Sequence, residues 1–426
     1  MTDRTKPPKI LDATEFELKL KPYTLYTLDN QVPVYSIEAG AEEVLMIEWV
    51  FFAGNWYEEK NIVAATTNYL LKNGTSGKNA FAINEYFEFY GAYLSRSCFN
   101  ETATITLHCL SKYLKELLPV VAEIIAESIF PEEELALYKQ NQKQRLEINL
   151  KKCDFVAARL IDEYLFGFDH PYGKYTSTLD FERLERSELT DFFQKFYTNG
   201  KCLVFAAGKL PADTAALLNK YFGSLPFTRE LPVQRSYTPQ PAQQKSYRIL
   251  NDPNGVQAAI RIGRPFPGRH HPDFPKVQVL NNILGGYFGS RLMSNIREDK
   301  GYTYGIHSYI QNHLQETAWL ISTEAGRDVA DAAITEIYRE MNRLRETLVD
   351  ADELSLVRNH MIGSILGDLD GPFQIIGRWK TYILNNLTEA YFYQSLDTIR
   401  TITVEELREL AIKYLVPEEF YQLTVI

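Results

Sequence analysis

The chain has 426 residues, 45% of them hydrophobic and 23% charged, a balance that fits a globular protein with ample core and excludes a disordered one. Its 45 Lys and Arg against 55 Asp and Glu leave a formal net charge of −10, so the basic footprint demanded by a nucleic-acid backbone is missing. The four cysteines, Cys98, Cys109, Cys153 and Cys202, form no CxxC pair and are expected to be reduced.

In chain order, the opening MTDRTKPPKI lacks the apolar core of a signal peptide. The apolar stretch from Val44 to Ala53 is short and carries Glu48, so a soluble, cytoplasmic chain with no membrane partner is expected. A helix is predicted from Asn61 to Asn73, with Asn61 as its N-cap and Gly74 as its stop. Thr102 to His108 alternates Thr with Ala, Ile and Leu and predicts a strand with one apolar and one polar face. A helix follows from Tyr113 to Ile129, where Leu114, Leu117, Leu118, Val121, Ile124 and Ile125 recur at helical spacing. Phe193 and Tyr197 belong to a later helix, ahead of a strand from Cys202 to Ala206.

Pro226, Pro232, Pro239 and Pro241 then mark an extended linker over 226–246, between domains at 1–225 and 247–426. The second domain repeats the order of the first. A strand from Ala318 to Thr323 leads into a helix from Asp328 to Leu344, and Glu134, Leu135 and Leu137 are answered by Glu353, Leu354 and Leu356, roughly 220 residues on. Leu410 and Tyr414, before a strand from Phe420 to Val425, answer Phe193 and Tyr197 at nearly the same offset. The repeat predicts an α+β protein of two homologous domains, each an antiparallel sheet covered by helices.

Several segments carry a more specific signal: Phe51-Phe-Ala-Gly54 with Glu58, Asn68-Tyr-Leu-Leu-Lys-Asn-Gly-Thr75, Asp169-His-Pro-Tyr-Gly173, Ser187 to Tyr197, Leu284 to Leu292, and Ile296 to Tyr304. In this order and spacing the chain, from about Gly54 onward, resembles the insulinase/pitrilysin family of inverted-motif zinc peptidases, which includes the mitochondrial processing peptidases. The resemblance implies two homologous domains facing each other as a clamshell. It also implies an H-x-x-E-H motif on the helix at 61–73, where i, i+3 and i+4 share a face and two imidazoles bind zinc beside a general base.

This sequence departs from that motif: Ala65, Asn68 and Tyr69 stand where His, Glu and His would stand. Ala65 has no ligand atom, Asn68 is no base near neutral pH, and a neutral phenol is a poor zinc donor. Glu147 matches the family's third ligand, and one carboxylate does not make a zinc site. No histidine substitutes. His270-His271 with Asp273 reads as a turn, and His170 as a residue that orders its loop. The glycines at 285, 286 and 289 lack the order and the Lys of a phosphate loop and read as a turn that lets helix and strand pack closely.

The resemblance further implies that an Arg and a Tyr seven residues later hold the substrate backbone and the oxyanion, and Arg297 and Tyr304 match that spacing. Outside the family frame, Arg297 would pair with Glu298 or Asp299 and Tyr304 would fill a strand face. The resemblance also implies that peptide substrate adds as a strand to a sheet edge, placed at Thr102 to His108. The expected function is therefore the zinc-free subunit of a heterodimeric metallopeptidase. Its own cofactor is none, its partner is a homologous zinc-bearing chain, and Arg297 and Tyr304 serve the partner's site. The alternative is a non-enzymatic peptide-binding or assembly protein of the same fold.

Overall fold

The computed structural model describes residues 12–233 and 235–426, so the opening eleven residues and Gln234 of the expected linker lie outside the described residues. Two compact units emerge. The N-terminal unit comprises Pro22–Gly255, Gly371–Thr381 and Tyr421–Ile426; the C-terminal unit comprises 12–21, Val256–Asp370 and Tyr382–Phe420.

The N-terminal unit holds a six-stranded sheet of β1 (Thr24–Thr27), β2 (Pro33–Glu38), β3 (Val44–Phe51), β4 (Tyr93–Cys98), β5 (Ala103–Leu110) and β6 (Cys202–Gly208), in the order β1-β2-β6-β3-β5-β4. Seven of the eight β3 residues are buried, because β3 lies inside the sheet, between β5 and β6. Around the sheet run α1 (Val63–Leu70), α2 (Ala80–Phe89), α3 (Leu114–Glu127), α4 (Glu132–Asn149), α5 (Cys153–Phe166), α6 (Thr178–Arg183), α7 (Arg186–Phe193) and α8 (Thr214–Phe222). The apolar stripe read from Leu114 to Ile125 is buried along α3, as its spacing demands. Trp49 of β3 packs on Phe222 of α8 at 4.9 Å between ring centroids. The stretch 228–245 contains neither helix nor strand among its described residues, and β7 (Ser246–Ile249) follows.

The C-terminal unit is built on β8 (Gln257–Phe266), β9 (Thr303–Asn312) and β10 (Thr317–Gly326), with β10 antiparallel to both others. Its helices are α9 (Phe274–Asn281), α10 (Ala330–Glu346), α11 (Ala351–Asp368), the end of α12 (Pro372–Leu384), α13 (Glu389–Thr401) and α14 (Val404–Tyr414). Ile337, Met341, Val357 and Phe392 fill its core. Gly285 is a true close approach: a Cβ there would lie 2.7 Å from Ser308 Cβ on β9, which accounts for the glycine-rich turn without invoking a ligand.

The α+β class and the repeated order are observed. The expected purely antiparallel pairing is not: β2 runs parallel to β6, and β11 (Tyr421–Val425) runs parallel to β7. In each case the final strand of the repeat returns after a long helical excursion, which leaves it free to enter alongside an early strand in the same direction. That both parallel pairs join corresponding strands is further support for the duplication. Among the described residues, no helix is long and apolar enough to cross a membrane.

Candidate functional site

The helix that would carry the metal is shorter than its pattern suggested, and it starts differently. Chain entry is set at Gly54, where a Cβ would stand 2.3 Å from the Asn100 carbonyl oxygen. Ile62 then adopts a left-handed φ of 67° ahead of α1. Asn61 is not the cap, because its amide donates to Tyr175 O at 3.0 Å and to Asp180 at 3.1 Å. The cap is Glu58, whose carboxylate accepts the backbone N–H of Ile62 at 3.2 Å and of Ala64 at 2.9 Å.

Burial pushes the Glu58 carboxyl up from its ordinary value to about 7, against the lowering effect of those two N–H groups and of Lys174. The folded state therefore binds this proton more tightly than the unfolded chain. The Glu58 contribution to stability is fully present below the ordinary carboxyl range, and it is lost as the pH rises toward 7. Urea titrations should show Glu58→Gln flattening a decline on the order of 2 kcal/mol between pH 5 and 7.5, and a wild-type slope no steeper than the variant's would refute the assignment.

The motif positions diverge in space as well as in chemistry. Ala65 is exposed, whereas Asn68 is 2% exposed and turned into the core. The Asn68 amide donates to Thr104 O of β5 at 3.3 Å and to the Tyr197 hydroxyl at 3.1 Å, tying α1 to the sheet. Tyr197 is fully buried, and that burial holds its phenol well above the usual range. Tyr69 faces outward against Tyr138 of α4, with ring centroids 4.8 Å apart. Arg96 of β4 lies over the Tyr69 ring at 5.1 Å, donates to the Tyr69 carbonyl, and reaches Asn73 Oδ1 at 3.4 Å. Burial lowers the Arg96 guanidinium to about 10, so it remains a cation at neutral pH.

These residues do not fit a zinc ion. Two of the three motif side chains face out with no suitable donor, the third spends its amide on the core, and a guanidinium already stands at Tyr69. Glu147 is exposed on α4, where Lys143 is its charged neighbour. Among the described residues there is no group of three or more His, Cys, Asp and Glu able to hold a metal.

The substrate-strand expectation needs correcting. β5 is paired on both sides, by β3 and β4, and its alternating side chains are almost all buried, so the polar face that was expected is covered. The edge strand beyond β5 is β4, which the sequence reading did not pick out, and β1 forms the opposite edge. Its pattern, Tyr-Leu-Ser-Arg-Ser-Cys, is too polar to announce a strand by propensity.

In the C-terminal unit, Arg297 lies in the helical segment Met293–Asp299, half-buried, with its guanidinium 4.7 Å from the Phe288 ring centroid. It stacks on that ring and makes no ion pair with Glu298 or Asp299. Tyr304 sits near the start of β9, opposite a register irregularity between Thr323 and Ala325, and is 93% exposed. The neighbouring hydroxyls lock this bulge: Thr303 donates to Glu324 O at 2.6 Å and Thr323 to Gly305 O at 2.9 Å. His270 and His271 lie in a turn as expected, with His271 Nδ1 accepting Asp273 N–H at 3.1 Å.

Comparison with known proteins agrees with this geometry. Residues 183–361 match the family model described as the peptidase M16 inactive domain. The chain is 24% identical over 350 residues to the "Uncharacterized zinc protease YmxG" of Bacillus subtilis (strain 168), covering 80% of this chain and 81% of that protein. It is also 24% identical over 355 residues to the "Non-peptidase homolog YmxG" of Helicobacter pylori, covering 79% and 80%. A crystal structure of a peptidase M16 inactive domain from Pseudomonas fluorescens superposes with a TM-score of 0.83 at 23% identity, covering 95% of this chain and 98% of that one. The chain is thus similar to the M16, or insulinase/pitrilysin-type, peptidases, with the inactive-domain match at residues 183–361, and among its described residues the matching positions 65, 68, 69 and 147 make no zinc site.

Proposed function

We propose that this chain is the zinc-free subunit of a two-subunit M16 peptidase, in which a homologous partner carrying H-x-x-E-H holds the metal. Arg297 and Tyr304 of this chain act on the peptide bound there. The guanidinium and the phenol are both donors, and they would hold the scissile carbonyl and the negative charge that develops on its oxygen. The observation that carries the reading is the contrast between the halves of the machinery. Positions 65, 68 and 69 have lost every ligand, while Tyr304 is presented with 93% of its surface free and Arg297 is held ready on Phe288.

The test mixes purified partner with this chain and follows cleavage of an unfolded peptide. Arg297→Ala and Tyr304→Phe should each lower kcat about 100-fold while leaving complex formation intact. Equal activity of both variants and wild type ends the proposal. The name of the Helicobacter pylori relative, a non-peptidase homolog, favours a second reading as a peptide-binding or assembly protein. A native complex that contains no zinc would decide for that second reading.

A further inference from the structure

Two arginines of the C-terminal unit, close in sequence, are placed in opposite ways. Arg291 is fixed by a carboxylate: its Nε and one terminal nitrogen each donate to Glu353 of α11 at 2.8 Å. Arg297 pairs with neither Glu298 nor Asp299 beside it, and its Cζ lies over the Phe288 ring, 4.7 Å from the centroid.

The turn that carries Phe288 is anchored on both sides of that ring. Tyr287 stacks on His360 of α11, with centroids 4.7 Å apart and planes 24° apart, and the Arg291–Glu353 fork fastens the far end of the turn to the same helix. Ser290 N–H donates to Tyr287 O at 3.1 Å, and Gly285 backs onto Ser308 of β9. Phe288 itself is 61% exposed, so the core does not account for its place. The segment of Arg297 is held separately. Asn295 Nδ2 donates to Glu336 and Glu340 of α10 at 2.9 and 2.7 Å, and Lys300 N–H closes a wide turn by donating to Asn295 O at 3.0 Å. Wide turns of this kind recur at functional sites.

A freely rotating arginine loses much rotamer freedom each time it binds a carbonyl. A guanidinium that already rests on a ring has less to lose, and the ring engages its face, which leaves the nitrogens at its edge free to donate. We infer that Phe288 is a positioning residue of the proposed site: its ring holds the Arg297 guanidinium clear of Glu298 and Asp299, as the donor for the peptide carbonyl at the partner's metal. The inference rests on the reading of this chain as the zinc-free subunit. Phe288 acts through Arg297 and makes no contact of its own with the peptide.

The test has two parts. In the full chain alone, labelled with 15N-arginine, the Arg297 Nε–H signal is assigned by its loss in Arg297→Ala. The ring current of Phe288 should shift this signal, and Phe288→Leu should return it to the position of a free arginine at an unchanged melting temperature. In the mixture with purified partner and an unfolded peptide, Phe288→Leu should lower kcat about fivefold, whereas Phe288→Trp, with its larger ring, should keep wild-type kcat. In an Arg297→Ala background, Phe288→Leu should change kcat by less than about twofold, because the group it positions is gone. A further loss of about fivefold in that background would make Phe288 a direct peptide contact and overturn the inference. An Arg297 signal that Phe288→Leu leaves in place overturns it too, as does an unchanged kcat for Phe288→Leu beside an impaired Arg297→Ala. Both of these outcomes leave the zinc-free-subunit reading standing. Equal cleavage by Arg297→Ala and wild type removes that reading, and this inference with it.

Discussion

Lys380→Ala is expected to lower the unfolding free energy by about 3 kcal/mol, because it leaves the Glu48 carboxylate buried with no cation beside it. Glu48 lies in the middle of β3, 8% exposed, directly opposite Thr106 of β5 and Phe205 of β6. Lys380 Nζ donates to its two oxygens at 2.9 and 2.7 Å, while the Thr106 hydroxyl reaches it only at 3.4 Å. The surroundings are aromatic. Tyr35 stacks on Phe205 at 5.1 Å, Trp379 meets Tyr23 at 4.7 Å, and Phe373 meets His108 at 5.7 Å. Residues 371–381 thus dock on this sheet face by apolar contact around the Lys380–Glu48 pair. Desolvation of the two ions offsets most of their attraction, so the pair fixes how the segment sits more than it adds net stability. The double variant Glu48→Leu/Lys380→Met should therefore return to within about 1 kcal/mol of wild type. Urea unfolding of wild type, both single variants and the double closes the cycle, and a loss below about 1 kcal/mol for Lys380→Ala would show the carboxylate to be still hydrated.

Local pattern was enough to read α3 and α10, because both bury one apolar stripe and nothing distant alters that arrangement. The repeat was legible for the same reason, each half repeating one order of strand, helix and acidic helix start. What the sequence hid depends on residues far apart in the chain. Lys380 stands 332 positions from Glu48, so no local pattern could announce their pairing. The capping role of Glu58 depends on a left-handed Ile62, a conformation that a β-branched residue rarely takes and that only the packing around it enforces. Strand β4 escaped because an edge strand can be polar, and with it went Arg96, the residue that covers Tyr69. Loss of the zinc ligands could be read from residue identity alone. Where the substituted side chains point could not, since a shared helical face does not say which of its members the core will claim.

That last point yields the sharper prediction about the former metal helix. Asn68→Glu restores the family's residue type, yet it should destabilise the protein by about 3 kcal/mol at pH 7. The Asn68 amide is a donor facing two oxygens, the Thr104 carbonyl and the Tyr197 hydroxyl. A carboxylate there would replace the donor with an acceptor and place its charge against the Thr104 carbonyl in a site with 2% exposure. The introduced acid should bind its proton more tightly in the folded state than in the unfolded chain, so the deficit must shrink as the pH falls from 7 toward 5 and the carboxyl becomes neutral. Asn68→Ala, which leaves the same two oxygens without a donor but adds no charge, should cost about 2 kcal/mol at both pH values. Chemical denaturation of the three proteins at pH 5 and pH 7 separates the charge from the lost hydrogen bonds. If Asn68→Glu proves as stable as wild type at pH 7, the side chain has found water, and this helix still keeps the open face of a working metal site.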